Sequence, residues 1–476
     1  MDEEDEEEAA AAVGASVASA AETAAPAVQT YVPGKHAPAE TMDYDSSAYH
    51  MFHHLNVEWP CLSFDVIRDN LGVRRTKFPM TCYIAAGTQA SAGEKNSLML
   101  IKLTDLSRTK YDDESDAEDE DDSDVDDDAT LTHKTIPHRG GVNRIRCMPQ
   151  QPHVMAAWSD TGSVGIWNAG AQIQSLDGPA TLPMRNEPVH VFSGHRTEGF
   201  ALGWSPVTQG RLVTGDCAKG IHLWQMADAG GTTWKVDPTP FGGHKGSVED
   251  LQWSPVEREM FVSGSVDRTV RVWDARVGGP KRRSVASVVA HESDVNVVAC
   301  NPFHPNVVAS GGDDGVIKVW DIKSFKEPMM QLYWHMGPIT SLEWSPEEES
   351  VLAASGEDDQ ITLWDLQAEV DTSDPAAAAA MAAAAAQQPN LQEIPPQLLF
   401  IHQGQRQIKE LHFHPQLPGV LISTSADGFH VFKPAVEGEE MGVAMISGDS
   451  DSEEDEEEDG GAAVAAAMEE ATASGA

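Results

Sequence analysis

The chain has 476 residues, and 41% of them are hydrophobic, which is enough for a packed core larger than that of one small domain. Its formal net charge of −44 results from 32 basic and 76 acidic residues. This imbalance disfavours nucleic acid and anionic membranes as partners and favours basic proteins. Five dispersed cysteines favour a reducing compartment, and no apolar run approaches the roughly 20 residues of a membrane helix.

Acidic residues are concentrated in three runs. Residues 2–8 hold 7 of them, residues 112–128 hold 13 and residues 449–459 hold 9. The N-terminal residues 1–30 and the tail 435–476 combine acidic runs with alanine and lack a hydrophobic period, so we expect both to be disordered.

A short helix is predicted within the N-terminal segment 31–58, at residues 43–55. Asp43 or Asp45 is placed to cap it, and Ala48, Phe52 and Leu55 share one helical face.

Four β-rich runs follow, at Trp59–Ile67, Thr81–Gln89, Leu98–Leu106 and Thr130–His138. We interpret them as the strands of a first structural unit, with the acidic run 112–128 as a loop inside it.

A histidine and a tryptophan then recur 29 residues apart, and the residues between them alternate between apolar and polar positions, as in short strands. The pairs are His138 and Trp167, His195 and Trp224, His244 and Trp273, His291 and Trp320, and His335 and Trp364. A sixth unit runs from His402 to Phe432 after an Ala-rich insertion at 366–396.

The tripeptides Val272–Asp274, Val319–Asp321 and Leu363–Asp365 (VWD, VWD and LWD) make these units resemble WD40 repeats. The resemblance implies an all-β, seven-bladed WD40 β-propeller over residues 59–434, with a short N-terminal helix and acidic disordered extensions. Two segments are candidates for the last outer strand, the residues just before Trp59 and the residues 443–446.

In such blades a buried histidine bonds a turn aspartate and, through a serine or threonine, the strand tryptophan. Two units fit this network fully, with His244, Ser263, Asp267 and Trp273, and with His291, Ser310, Asp314 and Trp320. Ala354 replaces the serine in one unit and Ala218 the aspartate in another, so we expect those two blades to be held less tightly.

The segments Val57–Phe64 (VEWPCLSF) and Pro395–His402 (PPQLLFIH) resemble the histone-binding WD40 family of the retinoblastoma-binding type. That resemblance implies a side groove for a basic helix. Its candidate residues are Tyr44, Phe52, Leu55, Trp59, Pro60, Pro395, Pro396 and Leu398. The alternative is that these residues only complete the hydrophobic core.

Longer motifs resemble the glutamate-rich WD-repeat family of ribosome-assembly factors more closely. They include YVPGK from Tyr31, EGFALGWSP from Glu198, SVEDLQWSP from Ser247 and IHQGQRQIKELHFHPQ from Ile401. The resemblance implies a chaperone that binds a basic large-subunit ribosomal protein before its assembly onto pre-ribosomal RNA, in the nucleus and nucleolus with a cytosolic phase. The Ala-rich insertion, the acidic tail and the short N-terminal acidic run depart from that family.

The acidic loop serves either solubility alone or contact with the basic partner. The candidate contact residues are Asp112, Asp113, Glu114, Asp116, Glu118, Asp119, Glu120, Asp121 and Asp122. Serines that precede acidic residues suit acidophilic kinases, and the candidates are Ser115, Ser123, Ser450 and Ser452.

Two alternative functions remain, a chromatin protein that binds core histones and a substrate adaptor of a cullin-type ubiquitin ligase. The second rests on the short motif WDAR at Trp273–Arg276. The sequence lacks a P-loop, a GxSxG elbow, an HExxH motif and a dinucleotide fingerprint, so we expect no enzyme activity, metal or cofactor. A propeller closes on itself, which favours a monomer.

Overall fold

The computed structural model describes residues 46–91, 96–109, 129–277, 283–368 and 394–436. These residues form seven antiparallel sheets of four strands each, and the innermost strands of successive sheets contact one another in a closed ring. The predicted all-β, seven-bladed propeller is therefore confirmed. Within the described ranges, no helix is long and apolar enough to cross a membrane.

The chain enters the fold through β1 (Tyr49–Leu55) and then builds the blades in order. Blade 1 comprises β2 (Cys61–Val66), β3 (Met80–Thr88), β4 (Ser97–Leu106) and β5 (Thr130–Pro137). Blade 2 comprises β6 (Val142–Met148), β7 (Gln151–Ser159), β8 (Val164–Asn168), the helix α1 (Gly170–Asp177) and β9 (His190–Phe192). Blade 3 comprises β10 (Ala201–Trp204), β11 (Arg211–Gly215), β12 (Ile221–Met226) and β13 (Trp234–Val236).

The remaining blades repeat this plan. Blade 4 comprises β14 (Val248–Trp253), β15 (Met260–Ser265), β16 (Thr269–Asp274) and β17 (Ala286–Val289). Blade 5 comprises β18 (Val295–Cys300), β19 (Val307–Gly312), β20 (Val316–Asp321) and β21 (Met330–Tyr333). Blade 6 comprises β22 (Ile339–Trp344), β23 (Val351–Gly356), β24 (Ile361–Asp365) and β25 (Leu398–His402). Blade 7 comprises β26 (Glu410–Phe413), β27 (Leu421–Ser425), β28 (Gly428–Pro434) and, as its outer strand, β1.

The antiparallel order gives the propeller two distinct faces. We call the face where the innermost strands begin the entry face, and the face where they end the exit face. The two inner strands of a blade are joined at the exit face, and so are its two outer strands. The acidic loop 112–128, predicted inside blade 1, falls between β4 and β5 at the exit face and lies outside the described residues.

The predicted helix at 43–55 is wrong over the residues that the structure describes. Ser46–Ala48 form a 3₁₀ turn, and the next seven residues form β1, which pairs with β28 from Tyr49↔Pro434 to Leu55↔Phe429. Of the two candidates for the last outer strand, the residues just before Trp59 are therefore the correct one. Backbone pairing along an existing sheet edge outweighs the weak helical periodicity of this segment.

Close backbone approach fixes the end of β1. Gly428 adopts φ 132°, and a Cβ atom there would lie 2.1 Å from the carbonyl oxygen of Leu55. Only glycine fits this position, because a side chain would collide with the closing strand.

The histidine networks exist in blades 4 and 5 with the predicted residues. His244 Nδ1 lies 3.0 Å from Asp267 Oδ2, its Nε2 lies 2.6 Å from Ser263 Oγ, and Trp273 donates to the same Oγ at 2.8 Å. In blade 5 the corresponding distances around His291 are 3.0, 2.8 and 2.9 Å. Each network pairs every polar group that the blade buries there.

The two blades expected to be looser have complete networks, so that expectation is wrong. In blade 6, Thr362 on the next strand replaces the missing serine: its Oγ1 lies 2.9 Å from His335 Nε2 and accepts from Trp364 at 2.8 Å. In blade 3, Asp216 replaces the aspartate at 3.0 Å from His195 Nδ1, and Thr214 supplies the hydroxyl. A neighbouring position can supply the same atom because the network depends on space and not on sequence spacing.

Blade 7 replaces the network with a relay that ties it to blade 6. The hydroxyl of Tyr49 lies 2.7 Å from His402 Nδ1, and His402 Nε2 lies 2.9 Å from His430 Nδ1. Burial lowers the pKa of His430 to about 3 and that of His402 well below its usual range, so both rings are neutral. This relay anchors β1 to β25 as well as to β28.

A buried carboxylate closes the ring across the channel wall. Glu410, on the innermost strand of blade 7, lies 2.5 Å from both Arg144 and Arg146 of blade 2 and accepts from the backbone N–H of Phe64 in blade 1 at 2.8 Å. Burial alone would raise the pKa of Glu410, but Arg146 and Arg144 hold it well below its usual range. One side chain thus joins three blades.

We predict that Glu410→Gln lowers the free energy of unfolding by about 3 kcal/mol or more, because two arginines at the channel wall lose their counter-charge. Urea denaturation measures the change, and the exposed Glu327→Gln, with an expected effect of about 0.5 kcal/mol or less, is the matched control. A loss of less than about 1 kcal/mol for Glu410→Gln would contradict this role.

Candidate functional site: the acidic entrance of the channel

Alternate residues of the innermost strands face the central channel and form stacked rings. One ring contains Ser63, Arg144, Asp250, Ser341 and Glu410, and the next towards the exit face contains Asp65, Arg146, Gln252, Glu343 and His412. Several of these side chains accept from the backbone of the following blade, as Asp65 does from Cys147 N at 2.7 Å and Asp250 from Val298 N at 3.0 Å. The channel wall is therefore polar and largely paired with itself.

The entry face carries a group of carboxylates around the channel, which we call the acidic entrance: Glu198, Glu249, Asp294 and Asp313. Asn143, which begins the innermost strand of blade 2, donates to Glu198 at 3.0 Å, and Asn296 of blade 5 donates to Asp313 at 2.8 Å. Because these amides are neutral, they orient the two carboxylates without cancelling their negative charges.

Electrostatics links the four carboxylates into one site. Burial, followed by the negative charge of Asp294, raises the pKa of Glu249, and burial, followed by the charge of Asp313, raises the pKa of Asp294. Burial also raises the pKa of the Cys217 thiol, with Glu249 and Glu198 contributing. Arg144 and Arg268 oppose the repulsion only in part. Like charges held together in this way are suited to binding a Lys- or Arg-rich segment.

The other end of the channel is a smaller and mixed surface. A cavity of about 180 Å³ opens there between blades 1, 2, 6 and 7, with Asp65, Arg68, Glu343 and His412 among its lining residues. His412 Nδ1 lies 2.6 Å from Glu343, and despite burial the two glutamates 343 and 410 raise the pKa of His412 to about 10. Because His412 is then positively charged, this end of the channel has no strong excess of negative charge.

The predicted groove residues do not form one continuous surface. Phe52 is half-buried and lies 5.3 Å, ring to ring, from Tyr49, which in turn contacts Phe400 of blade 6 at 5.4 Å. Leu55 and Leu398 are buried in two separate hydrophobic clusters.

The remaining groove candidates are divided between the two faces. Trp59 and Pro60 follow β1 towards the entry face, whereas Pro395 and Pro396 precede β25 at the exit face. Tyr44 lies outside the described residues. Phe52 and Phe400 are thus the part of the groove that the fold brings together.

Other predicted sites fall elsewhere. The nine acidic contact candidates of the run 112–128 and the four candidate phosphoserines lie outside the described residues. In the WDAR motif, Trp273 is buried, and the exposed Arg276 bonds Asp274 through two nitrogens, at 3.0 and 2.7 Å. Arg276 is thus the exposed residue of this motif, on the exit face.

Sequence reasoning missed the acidic entrance because its members come from four separate connections. A usable signal was present: Glu249 and Asn143 occupy the same repeat position, one residue after the apolar residue that begins the innermost strand. Comparing that position across units locates the entrance of the channel without a structure.

We predict that Glu249→Gln raises the free energy of unfolding at pH 7 and that the gain disappears as the pH falls towards 4. The folded-state pKa of Glu249 is raised, so the native protein binds the extra proton, and its stability falls as the pH rises through about 4.5 and above. Denaturation midpoints at both pH values, with Glu257→Gln as an exposed control, measure the effect. A variant less stable than the parent at pH 7, or a gain that persists at pH 4, would contradict it.

Comparisons with known proteins agree with the fold. A family model described as "WD domain, G-beta repeat" matches residues 237–274, 282–321 and 326–365. A second, which describes the histone-binding protein RBBP4 and its counterpart in the CAF1 complex, matches residues 39–107. Among solved structures, the WD40 propeller domain of Doa1 covers 81% of this chain and 96% of its own at a TM-score of 0.52 and 12% identity, which shows the fold alone.

Three relatives match over most of their length. Glutamate-rich WD repeat-containing protein 1 of Dictyostelium discoideum is 46% identical over 83% of this chain and 82% of its own. Protein HEAT STRESS TOLERANT DWD 1 of Arabidopsis thaliana is 43% identical over 83% and 88%. Ribosome assembly protein rrb1 of Schizosaccharomyces pombe is 40% identical over 84% and 83%. The chain therefore belongs to the WD40-repeat family that contains the glutamate-rich WD repeat proteins and ribosome assembly protein rrb1.

Proposed function

We propose that this chain is a non-enzymatic scaffold of ribosome biogenesis. It binds a basic large-subunit ribosomal protein and holds it until that protein assembles onto pre-ribosomal RNA. The observation that carries the proposal is the acidic entrance, in a family that includes a protein named for ribosome assembly. The proposal places the chain in the nucleus and nucleolus, with a cytosolic phase, and in association with pre-ribosomal particles.

Charge complementarity supports this partner class. A ribosomal protein that has not yet met RNA exposes many lysines and arginines, and Glu198, Glu249, Asp294 and Asp313 offer four carboxylates in one place. The acidic runs 112–128 and 449–459 add further negative charge. Each exposed ion pair contributes only about 0–1 kcal/mol, so many of them give binding that is salt-sensitive and reversible. Ribosomal RNA, a denser anion, then displaces the scaffold.

Binding to core histones is the second candidate. The match of residues 39–107 to a histone-binding family model favours it, and the side surface at Phe52 and Phe400 supplies an apolar floor for an amphipathic basic helix. Histones and ribosomal proteins are both basic, so the two candidates differ in the contact surface: the side of blades 6 and 7 for a histone helix, the entry face for the ribosomal protein.

We expect the triple variant Glu249→Gln, Asp294→Asn and Asp313→Asn to bind its ribosomal partner about tenfold or more weakly, which corresponds to about 1.4 kcal/mol. Fluorescent peptides that cover the Lys- and Arg-rich segments of large-subunit ribosomal proteins and of core histones are titrated at about 0.1 M salt. The substituted side chains are near-isosteric, so the fold should be preserved.

The matched control removes the same three charges from the exit face and its connectors, by Glu187→Gln, Glu257→Gln and Glu327→Gln. It should change the affinity by about twofold or less. Equal losses in both variants would mean that only total charge matters. Unchanged binding in the entrance variant, or a loss confined to histone peptides, would reject the ribosomal-protein proposal.

A further inference from the structure

A basic loop stands out on this acidic molecule. The connection between β2 and β3 contains Arg68, Arg74, Arg75 and Lys77 but only one carboxylate, Asp69. Asp69 lies 2.7 Å from Arg75 and compensates it. Arg68, Arg74 and Lys77 are exposed, and Arg74 lies 3.7 Å from Glu347. The loop therefore presents excess positive charge on the exit face.

Hydrogen bonds from blade 7 hold this loop in a defined shape. The side-chain oxygen of Gln416 accepts from Asp69 N at 2.8 Å, its amide donates to Gly72 O at 2.9 Å, and its backbone oxygen accepts from Arg75 N at 2.9 Å. The loop is thus a formed surface and not a loose excursion. At its tip, Leu71 is 57% exposed and Val73 is 76% exposed, so apolar and cationic groups are presented together.

The acidic run is attached directly beside this loop. The guanidinium of Arg108, just after β4, lies 5.1 Å from the centre of the Phe78 ring at the end of the loop. Asp112, the first residue of the acidic run, follows four residues later. β4 and β5 still pair at Thr104↔Thr130, so a tight turn would be enough to join them. The chain instead inserts a segment with 13 carboxylates, which leaves and returns at this point.

We propose that the basic loop 68–79, together with Arg108, is a docking surface for the acidic run 112–128 of the same chain. Each exposed ion pair contributes only about 0–1 kcal/mol, but a short tether raises the effective concentration of the run to about the millimolar range. The contact is weak, local and screened by salt.

This contact goes beyond the proposed function and requires no partner. Exposed cations beside apolar side chains would otherwise attract RNA. The docked run covers them with the chain's own carboxylates, so the scaffold does not compete for the pre-ribosomal RNA to which its cargo must move. A basic partner that draws the run away uncovers the loop.

Zero-length carbodiimide coupling of the purified full chain tests the proposal. The reagent activates a carboxylate, the lysine nitrogen attacks the carboxyl carbon to form an amide bond, and the carbodiimide leaves as a urea that carries the oxygen lost from the carboxylate. Lys77 is the one lysine of the loop, and mass spectrometry should find it joined to Asp or Glu within 112–128. Lys102 and Asp177, whose charged atoms lie 2.8 Å apart, supply an internal positive control in the same digest.

Raising the salt to about 1 M should remove the Lys77 products, as should the variant Arg68→Gln, Arg74→Gln and Arg108→Gln, by about tenfold. The matched variant Arg139→Gln, Arg196→Gln and Arg268→Gln, on the entry face, should leave them unchanged. Lys77 products that are absent while Lys102–Asp177 forms, or that join 2–8 or 449–459 instead, would overturn the proposal. So would products that appear only after ribonuclease treatment, because RNA would then occupy the loop. None of these outcomes bears on binding of a ribosomal protein at the acidic entrance.

Discussion

The carboxylate of Glu410 contacts three of the seven blades, and the closed ring depends on contacts of this kind. A propeller of separate sheets has a weak point where the last blade meets the first, and here three ties cross it. Glu410 meets Arg144, Arg146 and the backbone of Phe64, β1 pairs with β28, and Tyr49 reaches His402. Because the ring is closed, the innermost strands are fixed, and the side chains at the channel entrance keep their relative positions.

The repeat allowed most of the fold to be predicted, because histidine and tryptophan positions reflect a hydrogen-bond network that recurs in space. The exceptions have physical causes. Thr362 and Asp216 complete networks from neighbouring positions, which linear spacing does not reveal. Residues 49–55 have an apolar pattern that fits a helix, but the free edge of β28 offers a full ladder of backbone hydrogen bonds, so the segment forms a strand.

The candidate site was less predictable from the sequence than the fold. Runs of acidic residues are visible in the linear chain, whereas the acidic entrance comes from single carboxylates in separate connections that only ring closure brings together. The groove prediction combined residues that belong to different faces and different hydrophobic clusters, and only Phe52 meets its predicted neighbourhood, at Phe400. The entry face thus has its own carboxylates, while the run 112–128 is attached at the exit face beside a basic loop. The two proposals therefore assign different anionic groups to different surfaces.

The central claim, that this scaffold holds one basic ribosomal protein, is tested most directly by affinity purification of the tagged full chain from a gentle low-salt extract, followed by quantitative mass spectrometry. The account predicts a single large-subunit ribosomal protein near one-to-one stoichiometry, without mature ribosomes. Core histones as the dominant partners, with ribosomal proteins at background, would contradict the claim and leave only the propeller intact.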